Sequence, residues 1–133
     1  DAEIVEAIRA AERMTSGEIR VYISRKKIKD ALAAAQRRFA KLEMHKTRDR
    51  NAVLIYFAPR SRVFAIAGDA GVHEKCGDAF WQEVTAELSS DLRAKKPTEA
   101  LVNAIGKIGA LLAAHFPRRP DDRDELPNVV ERD

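Results

Sequence analysis

The sequence lacks several features that would assign it to a familiar class of protein. It has a single cysteine in 133 residues, which excludes an internal disulfide. Its apolar runs are far shorter than the roughly 20 residues of a membrane-spanning helix, and its start is amphipathic and charged, unlike a secretory signal. We therefore expect a soluble chain without a transmembrane segment, and leave open whether it is cytoplasmic or part of a membrane-anchored or exported protein.

Sequence motifs of common catalytic sites are missing as well. There is no Gly-x-Ser-x-Gly nucleophile motif, no phosphate-binding glycine loop, no His-Glu-x-x-His and no calcium-loop pattern. Nothing in the sequence pairs Cys76 with a base, so we interpret this thiol as a buried or half-buried small hydrophobe. The net charge is only +3, with acidic residues interspersed among basic ones, so nucleic acid is not the expected partner.

The composition indicates one globular domain. Hydrophobic residues make up 45% of the chain and charged residues 34%, enough for a buried core and a solvated surface. Helical and strand periodicities alternate from residue 1 to residue 116, whereas the remainder has no period. We predict a single α/β domain over residues 1–116, followed by an irregular C-terminal tail over residues 117–133.

The alternation of periods predicts the order of the elements. Ile19, Val21 and Ile23 alternate with polar residues, as in a half-buried strand. Asp30 is a candidate N-cap for the helix that follows; its predicted inward-facing stripe is Leu32, Ala35, Phe39 and Leu42. We predict helices over about 2–14, 30–43, 77–94 and 97–116 and strands over about 18–24, 51–58 and 62–68, with one further short strand left open.

A β-hairpin forms the predicted centre of the fold. Residues 51–58 are apolar at nearly every position, so both faces of this strand must be covered. Pro59 favours a tight turn, and residues 62–68 return antiparallel. The strand–helix–strand order before it implies a parallel crossover. Together these patterns predict a three-layer α/β sandwich, with a small mixed β-sheet between helices on both faces.

The last two predicted helices differ in the residues they turn inward. The third is expected to bury Phe80 and Trp81. The fourth carries a stripe of small residues, although each glycine costs a helix interior about 1 kcal/mol relative to alanine. We interpret the stripe as the place where another element approaches closely; it consists of Val102, Gly106, Gly109 and Ala113.

Two polar loops are predicted to meet at one end of the sheet, because one precedes the central strand and the other follows its antiparallel neighbour. We call this end the polar rim; it comprises His45, Lys46, Thr47, Arg48, Asp49, Asn51, Asp69, Gly71, His73, Glu74 and Asp78. Carboxylates there suit Ca²⁺ or Mg²⁺, and an added imidazole would favour a transition metal. The alternative is two solvated loops with a helix cap at Asp78.

The opposite end of the sheet is basic. It gathers Arg25, Lys26, Lys27, Lys29, Arg60 and Arg62. Such a rim suits a phosphate or an acidic partner, helped by the free N–H groups of the helix start at Asp30. Asp30 itself occupies that start, and a solvated basic surface is the alternative interpretation.

Several segments together resemble a known family. They are residues 15–21, 44–47, 50–56 and 68–75, the pair Phe80-Trp81 and the tripeptides His115-Phe116-Pro117 and Glu125-Leu126-Pro127. In combination they resemble the short bacterial branch of the TPM domain family, which includes thylakoid-lumen acid-phosphatase-like proteins. The resemblance implies a mixed sheet between helices. It also implies one of three roles: phosphatase, binder of divalent cations, or assembly factor of membrane complexes, often in membrane-anchored or exported proteins.

Two departures from the family pattern bear on function. Family members commonly have Asp-Asn-Gly before the central strand, where this chain has Arg50-Asn51-Ala52. After the hairpin they commonly have Gly-Tyr-Gly-Leu-Glu, where this chain has residues 68–72 with Asp69 second. Arg50 thus places a positive charge where a metal-dependent phosphatase would need a negative one.

Two functional hypotheses follow. The first is a non-catalytic binding or assembly module, whose polar rim holds a protein partner or a membrane complex and could take a divalent cation. The second is a metal-dependent acid phosphatase. In that hypothesis Asp49, Asp69 and Asp78 hold a Ca²⁺ or Mg²⁺ ion, His45 and His73 transfer protons, and Lys46 steadies the phosphate.

Overall fold

The structure is a computed structural model and describes residues 1–120 and 129–133. Within that part of the chain, helices and strands alternate largely as predicted. The helices are α1 (Ala2–Glu12), α2 (Ala31–Lys41), α3 (Ala70–Ala94) and α4 (Pro97–His115). The strands are β1 (Glu18–Ile23), β2 (Ala52–Ala58), β3 (Val63–Gly68) and β4 (Val130–Arg132), with a 3₁₀ turn, Pro59–Ser61, between β2 and β3.

The strands form one mixed sheet in the order β3-β2-β1-β4. β1 runs parallel to β2 on one side and to β4 on the other. β2 and β3 pair antiparallel through the tight turn, with Ile55 opposite Ile66. The predicted hairpin and the predicted parallel crossover are therefore both confirmed, and β3 is an end strand of the sheet.

Helices cover both faces of the sheet. On one face α1, α3 and α4 pack against side chains such as Val21, Val53 and Ile55. On the other face α2 packs against Leu54, Tyr56 and their neighbours. All seven residues of β2 are buried, as expected for a strand with apolar side chains on both faces. The predicted three-layer α/β sandwich is confirmed.

β1 is more deeply buried than its alternating pattern predicts. The half-buried strand was the wrong expectation, because Glu18, Arg20 and Tyr22 on its polar side are also buried. The guanidinium of Arg20 pairs with Glu131 of β4. The ring of Tyr22 stacks on Tyr56 at a centroid distance of 5.3 Å. Arg20 and Tyr22 thus have tertiary partners, although the sequence pattern assigns their side chains to solvent.

The C-terminal residues complete the sheet. Within the segment predicted as an irregular tail, Val130–Arg132 form β4, so the short strand left open exists; residues 121–128 of that segment lie outside the described residues. The Asp133 carboxylate accepts hydrogen bonds from Tyr22 Oη (2.7 Å), Ser24 Oγ (2.7 Å) and the Arg25 N–H (2.6 Å). Burial alone would raise the pKa of Asp133, but these bonds lower it to about 2. The domain boundary at residue 116 stays a prediction.

α3 begins earlier than predicted. The expected start near residue 77 is wrong, because the helix begins at Ala70 and Asp69 caps it. Gly77 has a left-handed φ of 73° and divides α3 into two pieces. Val72 in the first piece is fully buried, which explains why this segment folds onto the sheet. The combination of Gly77 and Asp78 resembles a helix start in the sequence, which is why the sequence predicts a loop for the first piece.

No helix among the described residues has the length and apolar character needed to cross a membrane.

The two glycines in the stripe of small residues on α4 have different environments. A Cβ on Gly109 would lie 2.6 Å from the Ala11 Cβ and 3.3 Å from the Ala11 Cα, so α1 approaches α4 closely there. A Cβ on Gly106 would meet nothing within 4 Å. The predicted close approach is confirmed at Gly109, but it does not explain Gly106.

This difference predicts opposite effects of the same substitution. Gly109→Ala should lower the free energy of unfolding by about 1–3 kcal/mol, because α1 must shift to admit the methyl group. Gly106→Ala, three residues away on α4, should raise it by about 0.5–1 kcal/mol, because alanine favours the helix. Urea unfolding measures both. Equal effects of the two substitutions would contradict the close packing of α1 on α4.

Candidate functional site

The two loops of the polar rim are in direct contact. The Gly71 N–H donates to the Arg50 carbonyl at 2.9 Å, and the Asp69 N–H donates to the Ala52 carbonyl at 3.0 Å. A Cβ on Gly71 would lie 2.3 Å from the Asp49 carbonyl oxygen. Only glycine therefore allows the first turn of α3 to pack against the backbone of Asp49 and Arg50, just before β2. The predicted convergence of these loops at one end of the sheet is confirmed.

A bidentate ion pair joins the two loops. Arg50 Nε donates to Asp69 Oδ2 and Arg50 Nη2 to Asp69 Oδ1, both at 2.8 Å. The Asp69 side chain is 6% exposed and that of Arg50 is 52% exposed. Asp69 also accepts from the Ala70 N–H at 2.8 Å, which caps α3. Two parallel N–H···O bonds to a carboxylate are a strong, geometrically specific pair.

The pair sets the charge state of Asp69. Burial alone would raise the pKa of this carboxyl group. The hydrogen bonds from Arg50 and the Ala70 N–H, together with the positive charges of Arg50 and His45, outweigh burial, so the pKa lies below its ordinary value. Asp69 is therefore an ionised acceptor whose two oxygens are already engaged.

A groove with a volume of about 620 Å³ opens between α2 and α3 beside this pair. We call it the α2–α3 groove. Four residues predicted for the functional site line it, namely His45, Asp69, His73 and Asp78. Its apolar wall includes Leu32, Phe39 and Trp81.

Two of these apolar residues were expected inside the core. Leu32, at the first turn of α2, is instead 51% exposed. Trp81 is only partly buried and covers Gly68, where a Cβ would lie 2.6 Å from the indole ring. Helical spacing predicts which residues share a face, but it does not reveal how much of that face the neighbouring elements cover.

The remaining predicted site residues lie elsewhere. Asp49 lines a second groove of about 570 Å³, which we call the His115 groove, and pairs there with Arg119. Lys46 is exposed and pairs with Glu43 at 3.2 Å. The residues proposed to act together in a phosphatase are thus divided among two grooves and the open surface.

The carboxylates do not come together as one ligand set. Among residues 1–120 and 129–133, no three His, Cys, Asp or Glu side chains are grouped so that they could hold a metal ion. Asp49 and Asp69 each face an arginine. In this arrangement the residues do not fit a cation shared by Asp49, Asp69 and Asp78. The metal site stays a prediction for binding experiments.

Comparison with known proteins finds a matching family model and a solved structure with the same fold. The sequence model of the TPM domain matches residues 1–111. The chain belongs to the TPM domain family. The NMR structure of the BA42 protein from the psychrophilic bacterium Bizionia argentinensis is 38% identical in sequence and matches with a TM-score of 0.93. The match covers 100% of this chain and 92% of that one. The comparison with curated proteins found no match.

In this TPM domain, Arg50 is the residue of the polar rim whose partner the sequence does not reveal. The sequence shows a positive charge at this position, but not what it faces. Arg50 and Asp69 are separated by the whole β2–β3 hairpin, and the antiparallel register brings them together. The backbone of Arg50 is left-handed, with a φ of 52°, a conformation that the bond from Gly71 and the ion pair hold in place.

Removing the negative charge of Asp69 tests the pair. Asp69→Asn should lower the free energy of unfolding by about 1–3 kcal/mol at pH 7, because charge-assisted hydrogen bonds to Arg50 are lost. Because its pKa is lowered on folding, the stabilisation is present above about pH 4 and disappears as the pH falls below it. The difference between wild type and variant should shrink over the same range.

A matched control is available in the same groove. Asp78→Asn removes an exposed carboxylate and should change the free energy of unfolding by less than about 0.5 kcal/mol. Urea unfolding between pH 7 and pH 3 measures both variants. If the two variants are equally stable at pH 7, the Arg50–Asp69 pair does not contribute as described.

Proposed function

We propose that this TPM domain is a non-catalytic binding or assembly module whose partner docks in the α2–α3 groove. The observation that carries the proposal is the bidentate Arg50–Asp69 pair. It neutralises the most buried carboxylate of the polar rim, so the acidic residue best placed to hold a cation already binds a guanidinium.

The rest of the groove has the character of a binding surface. Leu32, Phe39 and Trp81 give it apolar walls, and His45 and His73 are exposed at its polar end. Binding sites combine apolar walls with a few polar groups that orient the partner. An exposed leucine beside an indole ring loses contact with water when a partner covers it, which favours association.

The proposed occupant is a protein, free or as part of a membrane complex. A protein surface supplies apolar side chains for Leu32 and Trp81 together with polar groups for the imidazoles. Such a module needs no catalytic group, and the division of the predicted phosphatase residues among separate surfaces supports a role in binding.

A capture experiment with rim variants tests this function. The double variant His45→Ala/His73→Ala removes two exposed imidazoles from the α2–α3 groove and should retain the fold. It should lose at least one protein that the wild type captures from cell extract, as quantified by mass spectrometry. His115→Ala, in the His115 groove, is the matched control and should capture what the wild type captures. Identical captures by all three proteins would refute the groove as the binding surface.

A metal-dependent phosphatase is the second candidate. It is favoured by one observation, that His45, Asp69, His73 and Asp78 line a single groove. For a cation to bind there, the Asp69 carboxylate would have to exchange Arg50 for the ion. This candidate therefore predicts that binding opens the Arg50–Asp69 pair.

Thermal unfolding of the metal-stripped protein distinguishes the two candidates. A cation present at 100 times its dissociation constant stabilises a protein by about 2.7 kcal/mol. The binding module without a cation predicts no shift with Ca²⁺, Mg²⁺ or Zn²⁺ at millimolar concentration. A shift that Asp78→Asn abolishes, accompanied by hydrolysis of para-nitrophenyl phosphate, would support the phosphatase. A shift without hydrolysis would support a binding module that takes a cation.

A further inference from the structure

One edge of the sheet is open. β3 is an end strand, and its pairing with β2 shows which backbone groups face outward. Asp69 donates to Ala52, so alternate residues from Val63 to Asp69 bond to β2. Phe57, opposite Phe64, accepts from Ser24 on the β1 side, which confirms this alternation. The N–H and C=O groups of the intervening residues point away from the sheet; these residues are Phe64, Ile66 and Gly68.

No described residue forms a hydrogen bond with these outward groups. An open row of this kind is a template on which another extended chain can pair. Trp81 covers one face of Gly68, and Phe64, Ile66 and Gly68 are each only partly buried. The edge of β3 is therefore a surface with both donors and acceptors in strand geometry.

Two grooves lie beside the open edge. Ile66 and Gly68 line the α2–α3 groove. Arg62 and Phe64, together with Phe57 of β2, line a further groove of about 590 Å³, which we call the Arg62 groove. The residues that β3 and its two ends contribute to these grooves extend from residue 62 to residue 69. At about 3.3 Å per residue this is roughly 23 Å, the length of an extended peptide of six to eight residues.

The helices on both sides of β3 limit the kind of partner that can pair with its edge. Residues of α2 and α3 border the α2–α3 groove on both sides of β3. A partner strand that pairs with β3 would lie next to both helices. A single extended chain needs the least room there, because it brings no helices of its own.

The charges along the edge of β3 indicate which side chains the bound peptide should carry. Arg62 and Arg93 flank the Arg62 groove, and neither forms an ion pair with a described residue. Arg93 donates to the Ser89 hydroxyl at 3.1 Å. Between the two arginines the wall is apolar, with Phe64 and Leu92. The other end carries His45, Arg50 and His73 together with Asp69, which Arg50 neutralises, and the exposed Asp78.

We propose that the open edge of β3 binds an extended, acidic peptide segment of a partner protein as an additional strand. Its backbone pairs with Phe64, Ile66 and Gly68, a carboxylate lies against Arg62 and Arg93, and apolar side chains cover Phe64 and Leu92. Main-chain hydrogen bonds then supply affinity, and the flanking grooves supply selectivity. This inference rests on the proposed binding function and specifies its partner.

Amide hydrogen exchange measured by NMR tests the pairing residue by residue. In the free protein the amides of Phe64, Ile66 and Gly68 should exchange fast, whereas those of Ala65 and Ala67 should be protected by β2. The probe is the capped peptide Glu-Val-Thr-Val-Thr-Val-Glu-Asp at 1 mM. It should slow exchange at residues 64, 66 and 68 at least tenfold and leave residues 65 and 67 unchanged. A peptide with lysine in place of each acidic residue should have no effect.

Two N-methylated probes separate strand pairing from binding to the groove walls. Each carries methyl groups on alternate backbone nitrogens, one on the odd positions and the other on the even positions. Strand pairing predicts that one of them loses binding and the other retains it, because only one set of N–H groups faces β3. If both bind like the unmethylated peptide, the peptide does not add as a strand.

Charge variants test the arginines. Arg62→Glu/Arg93→Glu should weaken binding of the acidic probe at least tenfold. Arg37→Glu is the matched control, since Arg37 is exposed on α2 and does not line these grooves. The proposal is overturned if the acidic probe leaves residues 64, 66 and 68 unprotected, or if the lysine peptide binds equally well. It is also overturned if these amides are already protected in a concentration-dependent manner without peptide, because a second copy would then occupy the edge.

These outcomes differ from those of the capture experiment. If the His45→Ala/His73→Ala variant loses a partner while the acidic probe fails, the binding module stands and the strand-pairing inference falls. If the probe pairs with β3 while captures are unchanged, the edge binds peptide without the imidazoles, and the polar end of the groove is not the docking site.

Discussion

The rest of the structure depends on the burial of β2 on both faces. Seven consecutive buried residues cannot face solvent on either side, so helices must cover the sheet above and below it. β1 occupies one side of β2 and β3 the other, and the tight turn after β2 makes β3 antiparallel. The same turn returns the chain to the end of the sheet where β2 began, which places Asp69 beside Arg50.

The Arg50–Asp69 pair limits the chemistry available at the polar rim. A carboxylate that is 6% exposed is costly to bury unless it is paired. Here a guanidinium supplies both charge and geometry, and the helix cap supplies a third hydrogen bond. The pair therefore stabilises the junction of the two loops and at the same time occupies the acidic group of the rim. The α2–α3 groove and the open edge of β3, which we propose as binding surfaces, lie beside it.

Elements with strong local patterns could be predicted from the sequence, and elements that depend on distant partners could not. The β2–β3 hairpin followed from two apolar runs separated by Pro59. The start of α3 was misplaced because Gly77 and Asp78 imitate a helix start, while the true cap, Asp69, follows a strand directly. β4 has only three residues, and its pairing with β1 across more than one hundred residues of sequence leaves no local signal.

The sequence by itself determined the three layers, the mixed sheet and the meeting of two polar loops at one end, because the periods of 2 and 3.6 residues report which faces are buried. Only the tertiary structure decided which charges meet. Asp69 faces Arg50 and Asp49 faces Arg119, so the predicted metal ligands are divided between two grooves. It also decided that Leu32 and Trp81 border an open strand edge. Both outcomes depend on register and on the lateral position of helices, and periodicity along one segment carries no information about either.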